Sequence, residues 1–324
     1  MGCEFLFFQI PRDGYELTKT LDSLDDTESE GTCLQVGPLT QEVLEATLGL
    51  RCKRVVFTSW GSDLLIDDGA VSQKLQALLK RDPLSTSVLV DTRVAARIIE
   101  GFGVEGVRII EAPWGVKKDF FQRSTLATVY KTLTNSGKKT VFVNRRHEPL
   151  YQIETVLRAV ARQPEGSFQL LVAGEGSKTH ELKELSRKLG LVDVVRFLGW
   201  LGPSETRSAL LKADIYINPS GSDGSSVSML EAMASGTLVL ASDSKGNQDW
   251  INESNGYLFE SGNDEDLARQ LENVLSPSSS IQNLSKILRA RELAKKRADW
   301  EMNRKTIKQE FKRFLSQTEP RDLG

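Results

Sequence analysis

The chain has 324 residues, 39% hydrophobic and 27% charged, which fits two folded domains, each able to bury a core. A formal net charge of −2 leaves no cationic footprint for nucleic acid. No run approaches the roughly 20 apolar residues of a membrane span. The two histidines, His147 and His180, lie far along the chain from Cys3, Cys33 and Cys52, so neither a metal site nor a C-x-x-C motif is expected and the cysteines read as reduced thiols.

The opening Met1–Ile10 carries an apolar patch at Phe5–Phe8 without a basic leader or a small-residue cleavage site, and reads as a strand. The strands expected in this half are Phe5–Gln9, Cys33–Val36, Arg54–Phe57, Ser87–Val90 and Val107–Glu111, with helices at Gln41–Leu48, Ser72–Lys80 and Thr92–Gly101. Asp91 and Thr92 offer helix caps after a strand. The acidic stretch Asp22–Gly31 reads as a loop or a partly disordered segment. Lys117–Lys139 is polar with weak periodicity and reads as an interdomain linker.

Beyond it the alternation is regular. Apolar runs at Thr140–Val143, Phe168–Val172, Val194–Leu198, Ile215–Ile217, Leu238–Ala241 and Gly256–Phe259 predict strands. Amphipathic patterns at Gln152–Arg162, Lys178–Leu189, Ser204–Leu211, Val227–Ala234, Gln248–Ile251 and Asp264–Leu275 predict helices between them. Such βα repeats build a doubly wound parallel sheet. Asp264-Glu265-Asp266 sits at a helix start, where acidic residues suit the dipole. From Leu284 to about Leu315 a Lys- and Arg-rich helical pattern carries Trp300, Phe311 and Phe314; it reads as one long helix packing an apolar stripe, with a basic membrane-surface helix as the sharper alternative.

The segment that points to chemistry is Asn218–Gly236, NPSGSDGSSVSMLEAMASG. It follows a strand, opens as a Gly/Ser loop and enters a helix near Ser226–Met229. Free backbone N–H groups at the positive end of a helix favour a phosphate or pyrophosphate. Asp223 lies in the loop and Glu231 inside the helix, where carboxylates can accept hydrogen bonds from sugar or ribose hydroxyls. Taken alone, the pattern fits equally a capped helix with Glu231 facing solvent.

Asp223-x7-Glu231 followed by Ala232-Met233-Ala234-Ser235-Gly236 resembles the Glu-x7-Glu motif of retaining family 4 glycosyltransferases with the GT-B fold. Other landmarks agree in order: Leu171-Val172-Ala173-Gly174-Glu175-Gly176, Val195-Arg196-Phe197-Leu198-Gly199, Ala213-Asp214-Ile215-Tyr216-Ile217-Asn218-Pro219-Ser220, and Asn255-Gly256-Tyr257-Leu258-Phe259. The similarity covers about Val141 to Leu275. In the first half, Val55–Asp63, Pro113-Trp114-Gly115-Val116 and Val36-Gly37-Pro38 are similar to segments of the acceptor domain.

The resemblance implies two Rossmann-like α/β domains facing a cleft, the first of them shortened. The expected division is an acceptor-side domain at 1–117, a linker at 118–138, a nucleotide-sugar domain at 139–283 and a C-terminal helix and tail at 284–324. It implies that Glu231 holds the ribose, that Asp223 contacts the donor sugar, and that the backbone of Gly224, Ser225, Ser226 and Val227 holds the pyrophosphate with Arg145 or Arg146. The base would lie near Phe197, Leu198 and Gly199, with Gly174 and Glu175 on the adjoining turn. Gly37, Pro38, Trp60 and Asp63 would line the acceptor side. Asp223 stands where Glu is commoner, no lysine follows Arg145-Arg146 at the usual spacing, and Trp60 stands in place of a histidine.

The implied activity is metal-independent transfer of a sugar, with UDP the commonest donor nucleotide, to a glycan, lipid-linked or small-molecule acceptor in polysaccharide or glycoconjugate biosynthesis. No cofactor is expected beyond the nucleotide-sugar co-substrate. The implied location is the cytoplasm or the membrane surface. The alternative from a different class is a catalytically impaired nucleotide-sugar-binding protein derived from such an enzyme. An NAD enzyme is disfavoured because no G-x-G-x-x-G opens a helix after a first strand.

Overall fold

A computed structural model describes residues 4–7, 32–36, 38–48, 53–66, 69–134, 137–164, 166 and 168–317. The predicted loop Asp22–Gly31 and Gly37 lie outside them. By its internal contacts the chain divides into two units: residues 1–115, 223–225 and 300–324 form the first, and 116–222 with 226–299 the second.

The first unit holds a five-stranded parallel sheet in the order β1-β2-β3-β4-β5. Its elements run β1 (Glu4–Phe7), β2 (Thr32–Val36), α1 (Gln41–Leu48), β3 (Arg54–Thr58), α2 (Ser62–Leu65), α3 (Ala70–Arg81), β4 (Thr86–Val90), α4 (Arg93–Glu100) and β5 (Arg108–Glu111). Strands in parallel sheets are covered on both faces and therefore read as nearly continuous apolar runs, as Val55-Val56-Phe57 and Val88-Leu89-Val90 do. Val55, Phe57, Val88 and Val90 pack with Leu75 and Leu79 of α3 and Ala95 and Ile99 of α4. Thr92 caps α4, its hydroxyl accepting the Ala95 N–H at 3.1 Å. Cys33 is held in a disulfide bond, which corrects the reading of three reduced thiols. Cys3 and Cys52 lie outside the described residues.

The second unit opens with a 3-10 turn at Lys118–Phe121 and α5 (Thr125–Thr134), inside the span read from sequence as a linker. It continues through β6 (Lys139–Asn144), a 3-10 turn at Pro149–Tyr151, α6 (Ile153–Ala161), β7 (Phe168–Ala173), α7 (Thr179–Lys188), β8 (Val195–Gly199), α8 (Pro203–Lys212) and β9 (Ile215–Asn218). Then come α9 (Val227–Ala234), β10 (Leu238–Ser242), α10 (Lys245–Gln248), β11 (Tyr257–Phe259), α11 (Asp264–Leu275) and α12 (Ser280–Arg297). The strand order is β11-β10-β9-β6-β7-β8, all parallel. Side chains alternate across the sheet with period two. Val141, Val143, Leu170, Val172, Ile215 and Ile217 face Val156, Leu157 and Leu271, while Phe142, Tyr216 and Val239 face Met229, Met233 and Trp250. Carbonyls left open at the end of α8 are met by α5: Lys131 Nζ donates to the carbonyls of Leu211, Lys212 and Ala213.

The C-terminal pattern read as one helix is two. It breaks at Ala298–Asp299, where the Val116 N–H donates to the Ala298 carbonyl at 2.6 Å and Val116 bridges Asp299 in parallel register. The second piece, α13 (Trp300–Gln317), belongs to the first unit and buries Ile307, Phe311, Phe314 and Leu315. Asn303 Nδ2 donates to the Pro113 carbonyl at 3.0 Å, and Arg108 pairs with Glu310 at 3.3 Å.

Candidate functional site

In open α/β sheets, ligands sit at the carboxyl ends of the strands. In the second unit the residues singled out from sequence gather at those ends. Arg145 follows the last residue of β6, Gly174 follows β7, Gly199 closes β8, and the loop to α9 leaves β9 at Asn218.

Arg145 is the centre of this group. Its Nη1 donates to Ser226 Oγ at 2.7 Å and to Ser228 Oγ at 3.0 Å, and its Cζ lies 4.4 Å from the centre of the Tyr151 ring. Ser228 Oγ in turn accepts the Tyr216 hydroxyl at 2.8 Å. Ser226 is the N-cap of α9, yet its side chain makes no capping bond within the helix. A guanidinium and the first-turn amides of α9 thus present positive charge together, the requirement for an anionic group such as phosphate. Arg146 behaves differently: its side chain is 68% exposed and reaches Glu148 at 3.7 Å. Within α9, Met229, Leu230, Ala232, Met233 and Ala234 are buried while Glu231 keeps partial exposure. Among the described residues of α9 beyond Ser228, it alone presents a carboxylate outside the core.

The turn after β7 is held tightly against Arg145. Gly174 has φ +111°, and a Cβ there would stand 2.0 Å from the Arg145 carbonyl oxygen. Its N–H donates to the Gly199 carbonyl at 2.8 Å, and the exposed Glu175 accepts the His147 N–H through its main-chain carbonyl at 3.1 Å. Phe197 and Leu198 are half-buried. His147 is 1% exposed, its ring packs edge-on to Phe197 at 6.2 Å, and its Nδ1 lies 2.9 Å from Thr179 Oγ1. Desolvation holds its imidazole below the ordinary range, favouring the neutral ring. His180 is 86% exposed on α7 beside Glu184.

In the first unit Asp63 organises the loop after β3. Its carboxylate accepts the N–H groups of Leu39 at 2.8 Å and Trp60 at 3.1 Å and the Ser59 hydroxyl at 2.6 Å. Burial raises this carboxyl above its usual range despite those bonds. Trp60 is half-exposed and packs on Trp114 with ring centres 5.0 Å apart; Pro38 is half-exposed beside Leu39. Residues 223–225 group with this unit. The Ser225 N–H donates to Asp91 Oδ2 at 2.7 Å and its hydroxyl to the Asp91 carbonyl at 2.6 Å. A Cβ on Gly224 would stand 2.1 Å from Asp91 Oδ2, so a side chain there would have to displace the Asp91 carboxylate. Asp223 is half-exposed at the head of this loop.

Asp91 is the residue that sequence reading missed. Thr92 does the capping, and Asp91 instead is 2% exposed with Oδ1 lacking a hydrogen-bond partner. Desolvation raises its carboxyl to about 8, the Ser225 N–H opposes the rise, and Asp63 and Asp223 add to it. A strand-end Asp before a capping Thr gives no signal in sequence for such a partner 134 residues away.

A cavity of about 400 Å³ elsewhere on the second unit is lined by Lys131, Lys139, Asp214, Ile215 and Leu238 among others. It opens at the amino ends of β6, β9 and β10, the wrong end of the sheet for a ligand of this fold class. Among the described residues no cluster of His, Cys, Asp or Glu could hold a metal ion, and no helix is long and apolar enough to cross a membrane.

Comparison with known proteins gives this geometry its context. The family profile described as "Glycosyl transferases group 1" matches residues 128–291. Alpha-monoglucosyldiacylglycerol synthase of Streptococcus pneumoniae is 37% identical over 107 residues, covering 32% of this chain and 24% of that protein. Phosphatidyl-myo-inositol mannosyltransferase of Mycobacterium leprae is 33% identical over 141 residues, covering 43% of this chain and 36% of that protein. The matched stretch therefore spans only about a quarter to a third of these curated relatives. The structure of Anabaena HepE in complex with UDP is similar at TM-score 0.68 and 17% identity, covering 92% of this chain and 81% of that one. This likeness shows the fold, GT-B. The family profile spans just over half of the 324 residues, and the chain belongs to the glycosyl transferases group 1 family.

Proposed function

We propose that the protein is a retaining glycosyltransferase that moves a sugar from a nucleoside-diphosphate sugar, with UDP as the nucleotide, to a lipid-linked, glycan or small-molecule acceptor at the cytoplasmic membrane surface. The observation that carries this reading is the pairing of Arg145 with the N-terminal turn of α9. Two other facts support it. The Anabaena relative in fold was solved with UDP, and the curated relatives are named for products or acceptors that are lipids.

The roles follow residue by residue. Glu231 accepts the ribose hydroxyls, and Asp223 accepts a hydroxyl of the donor sugar. The amides of Gly224, Ser226 and Val227 and the Arg145 guanidinium take the diphosphate, with Arg146 a weaker outer cation; the Ser225 amide, expected from sequence to join them, is donated to Asp91 instead. Gly174, Glu175, Phe197, Leu198 and Gly199 border the nucleobase. Gly37, Pro38, Trp60 and Asp63 serve the acceptor side, Asp63 by shaping the loop that carries Trp60. Residues 1–117 form the acceptor domain and 139–283 the donor domain.

In the reaction the bond between the anomeric carbon and the diphosphate oxygen breaks, and negative charge grows on the leaving diphosphate. Donors already aimed at that charge lower the barrier without reorganising. The acceptor hydroxyl bonds to the anomeric carbon on the same face, and its proton passes to the leaving phosphate oxygen. Incubating the protein with UDP-sugars and a panel of lipid and glycan acceptors, with NMR of the product's anomeric proton, tests this. A product of the donor's own anomeric configuration is expected. An inverted product refutes retention, and an absence of both transfer and UDP release refutes the activity.

A further inference from the structure

Arg145 has to satisfy two demands that conflict. Its Nη1 donates to Ser226 and Ser228, and an incoming phosphate would compete for those N–H groups. A contact that uses the flat face of the group and none of its donors avoids this conflict, because cation–π attraction leaves the N–H groups available.

Tyr151 makes that contact, its ring 4.4 Å from Arg145 Cζ. The turn that delivers it is firmly built. Tyr151 N–H donates to the Glu148 carbonyl at 3.0 Å, and Gln152 N–H to the Pro149 carbonyl at 3.2 Å. Gln152 has φ +46°, the one non-glycine residue in the left-handed region among those described. Such a position persists only where surroundings over-determine it. Here the Gly221 N–H donates to the Leu150 carbonyl at 2.9 Å, and Ser261 Oγ donates to Gln152 Oε1 at 3.1 Å. The same turn is therefore tied to the loop that follows β9, the loop leading to α9.

We propose that Tyr151 is a positioning residue for Arg145, holding the guanidinium by its face at the N-terminus of α9 while the N–H edge changes partners from seryl hydroxyls to a nucleoside diphosphate. This rests on the donor-site reading given above and adds to it the residue that orients the site's half-buried cation.

The test is a double-mutant cycle read by calorimetric binding of UDP and of GDP to the full chain, with kcat and KM for a UDP-sugar measured in parallel. Tyr151→Phe keeps the ring and should bind within about twofold of wild type. Tyr151→Ala should weaken binding about tenfold, at unchanged far-UV circular dichroism, because the cation–π contact is lost. In an Arg145→Ala background, Tyr151→Ala should have no further effect, since a residue acting through Arg145 has nothing left to position. If the wild type binds and Tyr151→Ala matches it, or weakens binding equally with and without Arg145, the positioning role is overturned and the donor site stands. If the wild type binds neither UDP nor GDP, the donor-site reading itself fails and carries this inference with it.

Discussion

Gly174→Ala is the substitution whose cost the structure fixes most closely. Two effects add. At φ +111° an L residue is strained, and its Cβ would stand 2.0 Å from the Arg145 carbonyl oxygen and 2.9 Å from the carbonyl carbon. Both are backbone atoms, so no side chain can swing away. Gly190→Ala separates the terms: Gly190 has φ +72° with nothing within 4 Å of the added Cβ, so it carries strain alone. Left-handed strain costs about 1–2 kcal/mol, and forcing an extra carbon into packed surroundings costs about 1–3 kcal/mol. Gly190→Ala should therefore lose about 1 kcal/mol and Gly174→Ala about 3 kcal/mol. For a unit of this size each kcal/mol lowers Tm by roughly 2–4 °C, giving about 2–4 °C against about 6–12 °C in calorimetric unfolding. The moved carbonyl belongs to Arg145, so Gly174→Ala should also weaken UDP binding, which Gly190→Ala leaves alone. Equal Tm losses for the two variants would refute the argument from close approach.

Arg145→Ala should weaken UDP binding about tenfold or more, the scale of a lost hydrogen bond to a charged group, while the solvent-exposed Arg146 should cost less than threefold when changed to Ala; calorimetric titration checks both. Asp91 makes stability fall with pH. Its carboxyl, raised by burial to about 8, keeps its proton in the folded chain where the unfolded chain, at about 3.9, has released it. Its favourable contribution is fully present below the unfolded value and is lost as pH rises through about 8. Asp91→Asn, which stays neutral and can still accept the Ser225 N–H, should be more stable than wild type by roughly 5 kcal/mol at pH 8 and nearly level with it near pH 4; urea unfolding across that range is the measurement, and a gap that does not close toward pH 4 contradicts the reasoning. Trp60→Ala should raise KM for the acceptor severalfold with UDP affinity unchanged, read from steady-state kinetics on any acceptor that turns over.

Much of the second unit was legible because its strands are buried on both faces and its helices on one. The run Thr-Val-Phe-Val around Phe142 and the spacing of Met229, Leu230 and Met233 each declare their element without reference to the rest of the chain. The placement of Arg145 at the N-terminus of α9 was legible for the same reason, since it lies a fixed distance from a strand end. What escaped was set by distant partners. Helix α5 has little periodicity of its own, and Lys131 faces carbonyls of α8 about 80 residues away. The break at Ala298–Asp299 is made by Val116 pairing there, where a continuous helical pattern runs through in sequence. Asp91 looked like a cap, and its partner Ser225 is unrelated to it in sequence. The disulfide at Cys33 escaped because an odd number of widely spaced cysteines gives no pairing pattern.

The measurement that bears most directly on the central claim is thermal unfolding of wild type and Glu231→Ala with UDP, GDP and NAD in metal-free buffer. A nucleoside diphosphate at about 100 times its dissociation constant should stabilise the wild type by about 2.7 kcal/mol, a rise of several degrees that NAD does not produce and Glu231→Ala loses. A wild type unmoved by UDP and GDP, or a variant that responds as fully as wild type, would contradict a nucleotide-sugar site built on Arg145 and α9.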